Sequence, residues 1–229
     1  MGSRAGSGPM VVPSVVEARP PGVACVAVEL PGHGSSSGCR GHVDDWAQYA
    51  RAVDLSVEYA KRRFGPVVVW GSSMGGLLAL DLACRSFVPV VASAPMLSLP
   101  VGPFVRGLLK AAAWVTPTTA ITINPHAQPP CHGVCTLGWL ASAANACADF
   151  DPRKLRGGPL LLQIASNDPL VRVDDMRDLA TRAPPPSPRL EIYDEAGHEP
   201  FRLNDRRTVR GAYLRHITAF VDANLPGSR

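Results

Sequence analysis

The chain has 229 residues, long enough for one domain with a sizeable core, and 46% of it is hydrophobic, which sets it apart from disordered and coiled-coil sequences. A formal charge of +4 with scattered arginines gives no basic stripe for nucleic acid, and no apolar run is long enough to span a membrane. Met1–Pro20 lacks the layout of a signal peptide, so a cytoplasmic chain with mostly reduced thiols is expected.

Met1–Pro9 is rich in glycine and serine and reads as a loop. Met10–Ala18 is valine-rich, but Pro13 could not donate inside a central strand, so a short helix starting near Pro13 is expected there. Pro20-Pro21-Gly22 breaks the chain. Val23–Leu30 reads as a buried strand, and Pro31–Gly38 as a long polar turn. Asp44 or Asp45 caps the next helix. Trp46, Tyr49, Val53, Val57 and Ala60 recur at helical spacing, with Arg51, Glu58, Lys61 and Arg62 on the other face. Pro66–Trp70 is a strand, Met74–Cys84 a helix and Val88–Ala92 another strand. Strands alternating with helices predict an α/β fold with a mostly parallel sheet.

Met96–Asp149 breaks this rhythm and reads as an insertion, or cap, over the C-terminal edge of the sheet within a single domain of residues 1–229. Val101–Val115 and Leu137–Ala148 are its helical stretches. Phe104, Leu108 and Trp114 recur at spacings that can put them on one side of a helix facing the site, as core packing, ligand contact or both. Three residues separate Cys131 from Cys135, and no second ligand pair stands at zinc-finger spacing, which suits packing or a local disulfide better than a metal. Cys25 and Cys84 lie in apolar segments and read as small core residues. Gly158–Ala165 resumes the strands, a helix follows near Asp174–Thr181, and Ala183–Pro188 is a proline-rich loop. Arg189–Tyr193 is the last strand. Asp205–Asn224 is the last helix, with Val209, Tyr213, Ile217 and Phe220 on one side.

Gly71-Ser72-Ser73-Met74-Gly75 fits G-x-S-x-G and sits where a buried strand turns into a helix, the context that pattern requires. Acyl chemistry needs a nucleophile, a base to take its proton and an acid to orient the base. Ser73, Asp168 and His198 each follow a predicted strand, so the C-terminal edge of one parallel sheet can gather them. Asp174 and Asp175 are rivals to Asp168, but they open a helix, where carboxylates are common. His33 lies in a glycine-rich turn and reads as structural, His42 sits near a helix start, and His132 and His216 follow no strand. Ser72 should point away from the site.

On these residues the sequence resembles the α/β-hydrolase family, and within it the monoacylglycerol lipase/lysophospholipase-like group. The resemblance runs from about Val23 to the C-terminus. It rests on Leu30-Pro31-Gly32-His33-Gly34-Ser35-Ser36-Ser37-Gly38, Gly71–Gly76, Asn167-Asp168-Pro169-Leu170-Val171 and Ala196-Gly197-His198. It implies Ser73 as nucleophile, His198 as general base then acid, Asp168 as orienting carboxylate, the Met74 N–H as oxyanion donor and Met96–Asp149 as the lid that binds an acyl chain. It implies no metal or organic cofactor, and lipid-type esters as substrates, with peripheral membrane contact through the cap. The family has an earlier strand ending in a His-Gly loop, and no such segment precedes Met10–Ala18. The first strands of the fold are therefore expected to be missing, as in an N-terminally truncated chain, leaving Val23–Leu30 and Pro66–Trp70 without a shared neighbour. A catalytically weak hydrolase-fold protein that binds an acyl ligand or a protein partner is the alternative, and a peptidase or thioesterase on the same scaffold is a third reading.

Overall fold

The structure is a computed structural model, and it describes Val16 and residues 19–99, 102–123, 133–194, 196–201 and 207–225. The helix expected within Met10–Ala18 lies outside the described residues apart from Val16, which is helical.

Helix α1, Trp46–Phe64, starts at Asp45, whose carboxylate accepts from the Ala47 N–H at 2.9 Å. Such a cap is worth about 1 kcal/mol. The helix ends at Gly65, where φ is 88°. Strand β1, Val69–Ser72, leads into helix α2, Met74–Arg85, and then strand β2, Val90–Ser93. Arg85 at the end of α2 grips both Asp54 oxygens on α1, at 2.8 and 2.7 Å, and Asp81 at 2.8 Å. Nη1 alone makes both Asp54 contacts, and at a partly exposed site such a pair fixes geometry more than it adds stability.

The cap region contains helix α3, Pro103–Val115, the antiparallel pair β3, Ala120–Thr122, and β4, Val134–Thr136, and helix α4, Leu137–Asp149. Neither short strand is visible in the sequence pattern. Thr136 caps α4 by accepting from the Trp139 N–H at 3.2 Å. Strand β5, Leu160–Ala165, helix α5, Val173–Arg182, strand β6, Arg189–Tyr193, and helix α6, Arg207–Asn224, complete the described chain.

Strands β1, β2, β5 and β6 form one parallel sheet in that order. Alternation sorts the side chains onto two faces. Val90, Ala92, Leu160, Leu162 and Ile164 pack against Leu80 of α2 and Met176 and Leu179 of α5. Val91, Leu161, Ala165 and Tyr193 pack against Tyr213 and Ile217 of α6. Both faces being covered, the strands read as continuous apolar runs.

Val23–Leu30, expected to be a buried strand, is the main correction. It has no regular secondary structure and joins no sheet among the described residues, and Val26 and Val28 are 39% and 40% exposed. Strand β1 is hydrogen-bonded on one side only among the described residues. Cys25, expected in the core, is accordingly exposed.

Candidate active site

Ser73 stands between β1 and α2 with φ 53° and ψ −116°, a positive φ that non-glycine residues rarely adopt. Such strain costs about 1–3 kcal/mol and persists only where the surroundings impose it. Here they do. The Ser73 N–H donates to the Ser93 carbonyl at 2.9 Å, and the Ser73 carbonyl accepts from Met96 at 3.0 Å and Leu77 at 3.1 Å. A Cβ on Gly71 would lie 2.1 Å from the Gly75 carbonyl oxygen, and one on Gly76 would lie 2.8 Å from Pro95 Cα. The pattern glycine at 75 meets nothing within 4 Å, so close approach explains Gly71 and Gly76 but not Gly75. Ser73 occupies the cap position of α2 without using its hydroxyl as a cap. Met74 is the first residue of the helix, where N–H groups lack helical acceptors and negative charge is favoured.

Asp168 follows β5 in a turn that its own carboxylate organises. Oδ1 accepts from the N–H groups of Leu170 at 2.8 Å and Val171 at 2.9 Å, leaving Oδ2 facing His198 Nδ1 at 2.7 Å. The Asp168 side chain is 0% exposed and that of His198 15% exposed. An ionised carboxylate only accepts, so the bond places the imidazole proton on Nδ1 and frees Nε2 to accept one. Ala196 and Phe201, buried on either side of His198, anchor its loop. The rival carboxylates are engaged elsewhere: Asp174 with Arg177 at 3.3 Å and Arg172 at 3.9 Å, and Asp175 with the Ser98 hydroxyl at 3.3 Å. The Ser72 hydroxyl is buried without a hydrogen-bond partner among the described residues.

The turn 31–42 is held by its own side chains. Its Arg40 guanidinium donates to the carbonyls of Gly34, Ser36 and Gly38, and Glu29 accepts from the Ser35 N–H at 2.8 Å. His33 Nδ1 stands 3.0 Å from the Pro31 carbonyl. His42 ties the turn to the cap, bonding Thr136 Oγ1 at 2.8 Å and Asp44 at 2.9 Å. His132 and Cys131 lie outside the described residues, while Cys135 is a free, buried thiol. Cys147 donates to the Met96 carbonyl at 3.2 Å, and burial pushes its thiol up to about 11.

A cavity of about 140 Å³ lies beside this contact, lined by Leu97, Ser98, Leu99, Arg106, Ala144 and Cys147. The three residues expected to face the site do not enclose it. Phe104, Leu108 and Trp114 are 77%, 55% and 88% exposed. At 100° per residue Phe104 and Leu108 share a stripe, whereas Trp114 stands about 80° round the helix from Phe104.

A model of the family Hydrolase_4, described as serine aminopeptidase S33, matches residues 18–206. Phospholipase YtpA of Bacillus subtilis is 33% identical over 85 residues, and the match spans about a third of each protein, 35% of this chain and 33% of the relative. Among solved structures, monoacylglycerol lipase from Paleococcus ferrophilus aligns over 85% of this chain and 81% of its own, with a TM-score of 0.71 and 21% identity. A soluble variant of monoglyceride lipase from Saccharomyces cerevisiae, in complex with a substrate analogue, aligns over 86% and 76%, with a TM-score of 0.68 and 16% identity. Likenesses at these identities speak for the fold.

Proposed function

This chain is an α/β-hydrolase belonging to the serine aminopeptidase S33 family, and from that premise we propose that it cleaves carboxylic esters of lipid type through an acyl-enzyme on Ser73. The observation that carries the reading is the pair His198–Asp168, closed at 2.7 Å around a carboxylate removed from water, on the sheet edge where Ser73 is held at a positive φ.

In this reading Ser73 Oγ attacks the acyl carbon while its proton passes to His198 Nε2. Asp168 holds Nδ1–H and stabilises the imidazolium that forms. The Met74 N–H, at the positive end of α2, donates to the developing oxyanion. His198 returns the proton to the leaving alcohol, and water, deprotonated by the same imidazole, then frees the acid and restores Ser73.

The choice of lipid esters over peptides rests on the cap. Met96–Asp149 contains Arg106 and Lys110 as cations and only Asp149, at the far end of α4, as an anion. An aminopeptidase must hold a cationic terminal amine, and an apolar cap with a cationic helix is poorly suited to that task. It suits an acyl chain, with the cavity by Leu97, Leu99 and Ala144 as its first contacts. The names of the similar phospholipase and monoacylglycerol lipases point the same way. No helix among the described residues is long and apolar enough to cross a membrane. Contact with lipid would instead run through the exposed side of α3.

A fluorophosphonate probe tests the proposal, because it labels only an activated serine. Labelling is expected on the parent chain and on Ser72→Ala, whose lost hydroxyl has no partner among the described residues, and not on Ser73→Ala. Labelling that survives Ser73→Ala overturns the nucleophile. An unlabelled parent that still binds a fatty acid would favour an acyl-binding protein on the same scaffold.

A further inference from the structure

One polar chain crosses the apolar sheet beneath the site. Strand β5 reads Leu-Leu-Leu-Gln-Ile-Ala, and its Gln163 is 0% exposed in the middle of that run. Ser93 of β2 is 2% exposed, Tyr193 of β6 6% and Tyr213 of α6 1%. The Ser93 hydroxyl accepts from Trp70 Nε1 at 3.1 Å and from the Tyr213 hydroxyl at 2.6 Å, and it donates to Gln163 Oε1 at 3.1 Å. Gln163 Nε2 donates to the Tyr193 hydroxyl at 2.7 Å and to the Tyr213 carbonyl at 3.2 Å. The Tyr193 hydroxyl reaches His216 Nδ1 at 2.8 Å, half-buried on α6.

The count of donors leaves no freedom. An indole N–H only donates, and a hydroxyl accepts at most two bonds, so both lone pairs of Ser93 are taken and its proton must go outward. That fixes the Gln163 amide with Oε1 toward Ser93 and Nε2 toward the tyrosines. Burial holds both phenols above their ordinary range, so they remain protonated at neutral pH. A chain so fully satisfied rigidifies its members, whereas the loss of one link leaves buried groups unpaired.

The backbones of the same residues hold the exits of the strands. The Ser93 carbonyl accepts from Ser73 at 2.9 Å, the Gln163 carbonyl from Ala94 at 2.7 Å and the Tyr193 carbonyl from Ser166 at 2.8 Å. Ser73 is the proposed nucleophile, Ser166 opens the turn that carries Asp168, and His198 lies five residues beyond Tyr193.

We propose that Ser93, Gln163 and Tyr193 are positioning residues, a buried side-chain tie across three strands that sets Ser73 relative to the Asp168–His198 pair. The proposal rests on the esterase reading for its kinetic test but not for its spectroscopic one. Ser93→Ala and Gln163→Leu remove the tie at its two inner links. Tyr193→Phe removes one hydroxyl at almost constant shape and stands in for them if either fails to fold.

The measurements are turnover of a soluble p-nitrophenyl ester per titrated active serine, and the low-field proton resonance of His198 Nδ1–H, assigned by its loss in His198→Gln. The expected result is kcat lowered at least tenfold for Ser93→Ala and Gln163→Leu, and at least threefold for Tyr193→Phe. KM stays within twofold, and the His198 resonance is shifted or broadened in each variant. A lower melting temperature with kcat per site and the resonance both unchanged would assign the chain to stability alone and overturn the proposal. If the parent shows no esterase activity, the functional reading fails separately, and an unshifted resonance in the variants would still sink the positioning role.

Discussion

Asp168 divides its two oxygens between two tasks. Oδ1 closes its own turn on the N–H groups of Leu170 and Val171, and Oδ2 faces His198 Nδ1 at 2.7 Å. Substitutions can separate the tasks. Asp168→Asn keeps Oδ1 for the turn and presents an NH2 group to the imidazole, which forces the wrong tautomer. The expected kcat loss is about 10⁴-fold with the melting temperature near the parent's. Asp168→Ala gives up the turn as well. With charge-assisted bonds worth about 1.5–3 kcal/mol, its melting point should fall by roughly 5 °C. Equal melting points for the two variants would show that Oδ1 does not hold the turn.

The glycines of the elbow are not equivalent. Gly76→Ala places a methyl 2.8 Å from Pro95 Cα, backbone against backbone, beside Ala94, whose φ is 41°. A cost of about 1–3 kcal/mol is expected. Gly75→Ala meets nothing within 4 Å and gains helix propensity, about 1 kcal/mol. Thermal melts of the two variants should therefore move in opposite directions. A drop on Gly75→Ala as large as that on Gly76→Ala would contradict the geometry.

Residues that answer to local rules were legible in the sequence. Asp45, one of the two candidates with Asp44, caps α1, Ser73 takes the elbow, and Asp168 rather than Asp174 or Asp175 meets His198, each following from a short pattern beside a strong period. Val23–Leu30 was misread because an apolar β-branched run records what a segment could pair with, not whether a neighbour stands beside it. The β3–β4 pair escaped notice because three-residue strands have too few alternations to register. Phe104, Leu108 and Trp114 show the same limit on a helix: spacing places residues on a face but does not say what the face looks at. The polar chain through Gln163 left one trace, an amide in a run of leucines, and its partners lie 30 to 70 positions away along the chain.

Cysteine reactivity should follow burial. Cys147 and Cys84 are pushed up to about 11 by desolvation, so at pH 8 only about one in a thousand is thiolate. Cys39 is exposed. Iodoacetamide at pH 8 should modify Cys39 within minutes and spare Cys84 and Cys147 in the folded chain. Peptide mapping after a short pulse reads the order. Early modification of Cys147 would mean that α4 opens readily from the Met96 carbonyl.

The exposed side of α3 gives the last prediction. Phe104, Leu108, Trp114 and Val115 are 77%, 55%, 88% and 70% exposed, and Ile123 beyond β3 is 64% exposed. Arg106 and Lys110 are the only charges of that helix. Apolar side chains with cationic neighbours and no acid are the composition of a helix that lies in the interface of an anionic lipid layer. Each large side chain inserted gains about 1.5–3 kcal/mol. The double variant Phe104→Ser/Leu108→Ser should therefore lose at least roughly tenfold in partition onto phosphatidylcholine vesicles containing phosphatidylglycerol, read by co-sedimentation. Its turnover of a vesicle-borne monoacylglycerol should fall in step. Its melting temperature should hold, because both side chains already face water, and so should its turnover of p-nitrophenyl butyrate in solution. Lys110→Glu should weaken binding to the anionic vesicles and have little effect on neutral ones, with the difference vanishing in high salt. Loss of butyrate turnover in the double variant would instead mean that Phe104 and Leu108 touch the acyl group itself. A concentration-dependent mass that the variant abolishes would mean that a second copy covers this face.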